Sequence, residues 1–77
     1  YVANVEGQGT YIPGPNSKFG SWPSSIGTAA GSATEVSGID TTGKTVKAKV
    51  YKDGNKYKCI YGSSTYTYNK TYNYWKK

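Results

Sequence analysis

From residue 45 onward the chain alternates between apolar and polar positions. Val46, Ala48 and Val50 lie two apart with Thr45, Lys47 and Lys49 between them, the period of a half-buried strand. Asp53-Gly54, flanked by Lys52 and Asn55, predicts a tight hairpin turn, because glycine takes a positive φ without steric cost. On the return strand Tyr57, Cys59 and Tyr61 alternate with Lys56, Lys58 and Ile60. In this hairpin the lysines of both strands share one face and the apolar residues the other. A second hairpin is expected at the end, where Thr65-Tyr66-Thr67-Tyr68 and Thr71-Tyr72-Asn73-Tyr74-Trp75 alternate polar with aromatic across Asn69-Lys70.

The first thirty residues carry no such period. Gly7, Gly9, Pro13, Gly14, Pro15, Gly20 and Pro23 recur too often for a helix, and each proline biases its predecessor toward extended geometry. Short strands are expected at Val2 to Val5 and at Thr10-Tyr11-Ile12. Thr28-Ala29-Ala30 is featureless, and Ala33 to Ser37 reads as a strand closed by Gly38.

Composition sharpens this pattern into a fold class. The sequence has no Leu, Met, Arg or His, but has nine Tyr, two Trp and one Phe. Leu, Met and Arg are good helix formers, while Thr, Tyr and Val are enriched in strands and Gly and Pro punctuate turns, so the balance points to β structure. The expectation is an all-β protein, a small antiparallel β-sandwich of short strands and hairpins, forming one domain over residues 1–77. Cys59 is the only cysteine, so no intramolecular disulfide forms, and without histidine a Cys/His zinc site is excluded. The core must then be made of aromatic rings, which bury much area for little side-chain entropy. On that ground Tyr66, Tyr68, Tyr72, Tyr74 and Trp75 are assigned to the core, and Cys59 to a buried strand position. Trp22, between Ser21 and Pro23, suits either a core anchor or a ligand platform.

Charge is distributed unevenly. Before residue 41 there is one lysine against three acids, and after it nine lysines against Asp53 alone, within a net charge of +6. No run approaches a membrane span. The chain opens on Tyr1 and not on Met, and its Tyr, Thr, Ser, Asn, Gly and Lys content is similar to that of exported Gram-positive proteins. Removal of an N-terminal segment and secretion are therefore expected.

Catalysis has little to work with. Ser–His and Cys–His nucleophiles are impossible, and Ser–Lys pairs can be drawn at will in so Ser- and Lys-rich a chain. Of four acids, one belongs to a turn. There is no Asp-x-Asp calcium loop, and Gly7-Gln8-Gly9 precedes no helix that would make it a phosphate loop. Asn69-Lys70-Thr71 matches a glycosylation sequon, relevant only in a eukaryotic host. The protein is read as a non-enzyme with no cofactor and no metal. What remains is binding surface: Lys47, Lys49, Lys56 and Lys58, with Tyr51 and Ile60 on the same face, and Trp22 as a further candidate. The competing reading of that face is a solvated one whose lysines guard an edge against aggregation.

Three stretches bear on a family. Glu6-Gly7-Gln8-Gly9-Thr10-Tyr11 approaches a Glu-Gly-Thr-aromatic element. Gly31-Ser32-Ala33-Thr34-Glu35-Val36-Ser37-Gly38 is a small-residue segment leading into valine, and Tyr72-Asn73-Tyr74-Trp75 is a Tyr-rich close. In these the chain resembles the lactococcin 972 bacteriocin family. The resemblance implies a small sandwich of antiparallel sheets and an activity of binding the cell-wall precursor lipid II and stopping septum growth. It assigns no contact residue. The expected partner is an anionic cell-envelope component or cell-wall glycan, at or near a bacterial membrane surface. Alternatives are a non-toxic wall-polysaccharide-binding module and a self-assembling surface protein. Nucleic acid is disfavoured by the absence of Arg and the secreted composition.

Overall fold

The computed structural model describes residues 4–6, 9–17 and 22–77. Among these, five strands form one antiparallel sheet in simple meander order: β1 (Thr34–Ile39), β2 (Thr45–Asp53), β3 (Lys56–Tyr61), β4 (Ser64–Asn69) and β5 (Tyr74–Lys76). The protein is all-β, and among the described residues the only helical element is a single 3-10 turn at Ala30–Ser32. The expected short strands and hairpins are present. The two layers differ in kind, however. One is the regular sheet, and the other is residues 4–6, 9–17 and 22–27, which attach by isolated bridges.

Each connection has a local cause. Between β2 and β3, Asp53 pairs with Lys56, so the loop is Gly54-Asn55, one position later than expected, with Gly54 at φ 62°. The β3–β4 connection repeats the device with Gly62-Ser63, Gly62 at φ 63° and Tyr61 opposite Ser64. The β1–β2 loop is organised by Asp40. Its Oδ1 accepts from the Thr42 hydroxyl at 2.6 Å and from the backbone N–H groups of Lys44 and Thr42 at 2.9 and 3.0 Å. Those bonds, the Thr42 hydroxyl foremost, hold the Asp40 carboxyl below the usual range. Asn69 plays the same part between β4 and β5, its Oδ1 accepting from Thr71 and Tyr72 N–H.

Strand alternation sorts the side chains. Val36, Ala48, Val50, Cys59, Tyr66, Tyr68 and Trp75 point to the covered face, where Val5 and Ile12 meet them to form the core. Trp75 is its centre. Its ring lies 5.0 Å from that of Tyr68 and 6.3 Å from that of Trp22, and its indole N–H donates to the Ile12 carbonyl at 3.1 Å. Trp22 also meets Tyr57 edge-on at 5.6 Å.

The terminal aromatics divide. Tyr66, Tyr68 and Trp75 are buried, as expected, whereas Tyr72 is 60% exposed and Tyr74 pairs with Asn69 on the opposite face. Neighbours on a strand point opposite ways, so Tyr74 and Trp75 cannot both enter the core. The four-residue turn at 70–73, with Asn73 at φ 57°, gives the inner place to Trp75.

The covering segment also ties the sheet's two edges together. Val5 bridges Thr10 and, in parallel, Trp75 of β5, while Tyr11 bridges Ile39 of β1. The hydrogen bonds are Glu6 N–H to the Trp75 carbonyl, Trp75 N–H to the Asn4 carbonyl, and a reciprocal pair between Tyr11 and Ile39. Residues 4–6 and 10–11 thus lie between the ends of β5 and β1, pairing with Trp75 on one edge and Ile39 on the other, which shortens the edge open to edge-to-edge pairing. Val5 and Thr10-Tyr11 fall where strands are expected, as single bridges; Val2 lies outside the described residues. Gly38 does not close β1 but is interior to it, because the Tyr11 backbone passes directly over it.

Cys59 is buried, as expected, and burial pushes its thiol up to about 12. At pH 8 it should react with a thiol reagent only as fast as the chain unfolds. Because the native pKa exceeds the ordinary value of 9.0, its contribution to stability is complete below about pH 9 and is lost as pH rises toward 12. Ellman-type kinetics with and without denaturant check the first statement; modification in the native state at the rate of a free thiol would contradict it.

Candidate functional surface

The face of the sheet turned away from the core carries the residues singled out for binding. On β2 it presents Lys47, Lys49 and Tyr51, and on β3 Lys56, Lys58 and Ile60; all four lysines and both apolar residues share it. The register places Lys49 opposite Ile60 and Tyr51 opposite Lys58. Alternation dictates this grouping, since the inner positions between them are Ala48, Val50, Tyr57 and Cys59.

Trp22 is separate from this surface. It lies on the covered side, half-buried, stacked on Trp75 at an interplanar angle of 23°. Of its two readings, packing accounts for the contacts it makes. Nearby, the Lys52 ammonium is 5.6 Å from the Tyr57 ring centroid, a cation–π contact on the same side.

The lysines differ in their company. Lys47 Nζ is 3.7 Å from Glu35 Oε1, both well exposed, and Glu35 is also the register partner of Lys49. An exposed pair of this kind contributes little to stability but lowers the local positive potential. Lys56 stands opposite Asp53. Lys58 faces no acid across the strands. Its Nζ donates to Thr67 Oγ1 of β4 at 2.8 Å, which fixes a charge near the middle of the sheet.

From Lys58 the surface continues into residues that sequence reasoning did not include. Tyr51, Lys58, Thr67 and Lys76 are successive register partners across β2 to β5, a row about 14 Å long at the usual strand spacing. Thr67, Lys70, Lys76 and Lys77 help to line a depression of about 350 Å³ at the β4–β5 edge. Glu6 borders this end of β5, its backbone N–H donating to the Trp75 carbonyl. The signal for Lys76 was present in the sequence: once Trp75 points inward, Tyr74 and Lys76 must point outward.

Chemically, this is a shallow surface of ammonium groups around Tyr51, Ile60 and Tyr74. It can neutralise phosphates as point charges while the rings and Ile60 contact apolar or sugar surface. No group of three or more His, Cys, Asp or Glu side chains comes together among the described residues. Comparison with protein-family models, curated proteins and solved structures returned no match for this chain.

Proposed function

We propose that this protein is a secreted bacteriocin-like antimicrobial that binds the Gram-positive cell envelope through the uncovered face of its sheet. The observation that carries the reading is the gathering of Lys47, Lys49, Lys56 and Lys58 on that face, continued by Lys76. A planar array of ammonium groups with Tyr51, Ile60 and Tyr74 among them suits a pyrophosphate and sugars presented at a membrane surface, and tyrosine is favoured at headgroup level. The resemblance to the lactococcin 972 family makes lipid II the first ligand to try. Self-assembly through strand edges has less in its favour, because residues 4–6 and 10–11 pair with part of each edge and the β4 tyrosines are buried.

The test is binding to vesicles with and without lipid II at physiological salt. Saturable binding that requires lipid II is expected. Replacing Lys49 and Lys58 by Gln removes two charges at about 1 kcal/mol each, so affinity should fall about thirtyfold. Equal binding to any anionic vesicle, or none to either kind, would overturn the lipid II assignment.

A further inference from the structure

The β4–β5 turn holds an aromatic residue where solvent reaches it. Tyr72 is 60% exposed, and its ring lies 6.1 Å from that of Tyr74, the planes tilted by 43°. A single exposed tyrosine means little by itself. Here the turn that carries it is fixed by Asn69, whose Oδ1 accepts from Thr71 N–H at 3.0 Å and Tyr72 N–H at 3.2 Å. The Asn69 carbonyl takes a third bond, from Asn73 N–H at 2.8 Å. The backbone bearing the ring is therefore organised before any ligand arrives.

Polar groups surround the ring. Asn16, Lys70, Thr71, Tyr72 and Asn73 line a depression of about 320 Å³. It offers amide, hydroxyl and ammonium donors beside an aromatic face. Asn73 Oδ1 is buried with no hydrogen-bond partner, and a rotation of its amide toward the depression would give a ligand hydroxyl an acceptor. A flat apolar platform edged by hydrogen-bonding groups matches a pyranose sugar, whose C–H face is apolar and whose rim is hydroxyl. Neither a bare phosphate nor an acyl chain uses both halves of that arrangement. Tyrosine also gives up little conformational entropy on binding.

We propose that the Tyr72 turn is a saccharide subsite, taking a neutral pyranose unit with Tyr72 as the stacking platform and Asn16, Lys70 and Asn73 as its polar rim. The subsite adjoins the far end of the lysine surface through Lys70 and Tyr74 but includes none of lysines 47, 49, 56 and 58.

The test is titration of the ¹⁵N-labelled full chain with chitotriose and, separately, cellotriose, both uncharged. At least one should produce saturable shift changes concentrated at Asn16 and Lys70 to Tyr74. Tyr72→Ala should weaken binding about tenfold, and Tyr72→Phe should largely retain it. The exposed position makes both variants foldable, and an unchanged spectrum elsewhere verifies that. The Lys49→Gln/Lys58→Gln variant should keep the saccharide response while losing vesicle binding, so the two proposals fail independently. No shift with either trisaccharide, shifts unaffected by Tyr72→Ala, or perturbation of the turn by sugar-free vesicles alone would each overturn the subsite.

Discussion

Replacing Trp75 by alanine is expected to unfold the protein. The residue is fully buried and joins three parts of the chain: it packs on Tyr68 of β4, stacks with Trp22 of the covering layer and donates its indole N–H to Ile12. Truncating a buried tryptophan costs about 3–5 kcal/mol through lost transfer energy and the cavity left behind. A chain of this length has a total stability of about 4–12 kcal/mol. With a single cysteine and so no intramolecular disulfide, a core this small supplies about 3–5 kcal/mol, the low end of that range, and the loss consumes most of it. Trp75→Phe separates the contributions. It keeps most of the ring packing but leaves the Ile12 carbonyl without its donor, at about 1–3 kcal/mol. Thermal and urea unfolding followed by near-ultraviolet dichroism should show no native transition for the alanine variant and a lowered midpoint for the phenylalanine one. A folded Trp75→Ala protein within 1 kcal/mol of the parent would mean that the core does not depend on this residue.

The sequence made the middle of this fold readable and its closure unreadable, for a physical reason. In β2 and β3 the alternation of lysine with small apolar and aromatic residues carries facing and pairing together. A one-residue slip would bury the charges of Lys47 to Lys58, so the register is strongly determined. The lysine face was legible for the same reason. The covering layer gives no such signal. Val5 and Tyr11 each make single bridges to residues far along the chain, and the Trp75–Ile12 hydrogen bond spans 63 positions. Nothing periodic marks such contacts. The role of Tyr72 was hidden by composition: counting rings favoured the core, while the turn at 70–73 decided which rings could reach it. Lys70, Lys76 and Lys77 joined the surface only once that turn had set the direction of β5.

The second large effect is expected from the addition of one methyl group. In Gly38→Ala the new Cβ would overlap the Tyr11 carbonyl oxygen and stand 2.8 Å from Ile12 Cδ1 and 3.2 Å from the Tyr11 carbonyl carbon. Most of what it meets is backbone, so no rotamer change relieves the contact, and the segment at residues 10–12 must lift off β1. Overpacking of this kind costs about 1–3 kcal/mol. Lifting the segment also breaks the reciprocal Tyr11–Ile39 bonds and pulls Ile12 from the core. The consequence differs from that of a core cavity. β2 to β4 pair through contacts that do not involve Gly38, so damage should begin at the seam. Amide exchange at Tyr11 and Ile39 should accelerate well before exchange at Val50, Cys59 and Tyr66. The freed β1 edge, ending in half-exposed Ile39, should make the variant prone to associate at high concentration. Gly43→Ala is the control, since its Cβ would meet nothing within 4 Å and only the strain of φ 83° would count. If Gly38→Ala exchanges at the seam no faster than that control, residues 10–12 do not close the sheet as described. If exchange rises uniformly over all strands, the seam and the sheet unfold as one cooperative unit, and closure is inseparable from the fold itself.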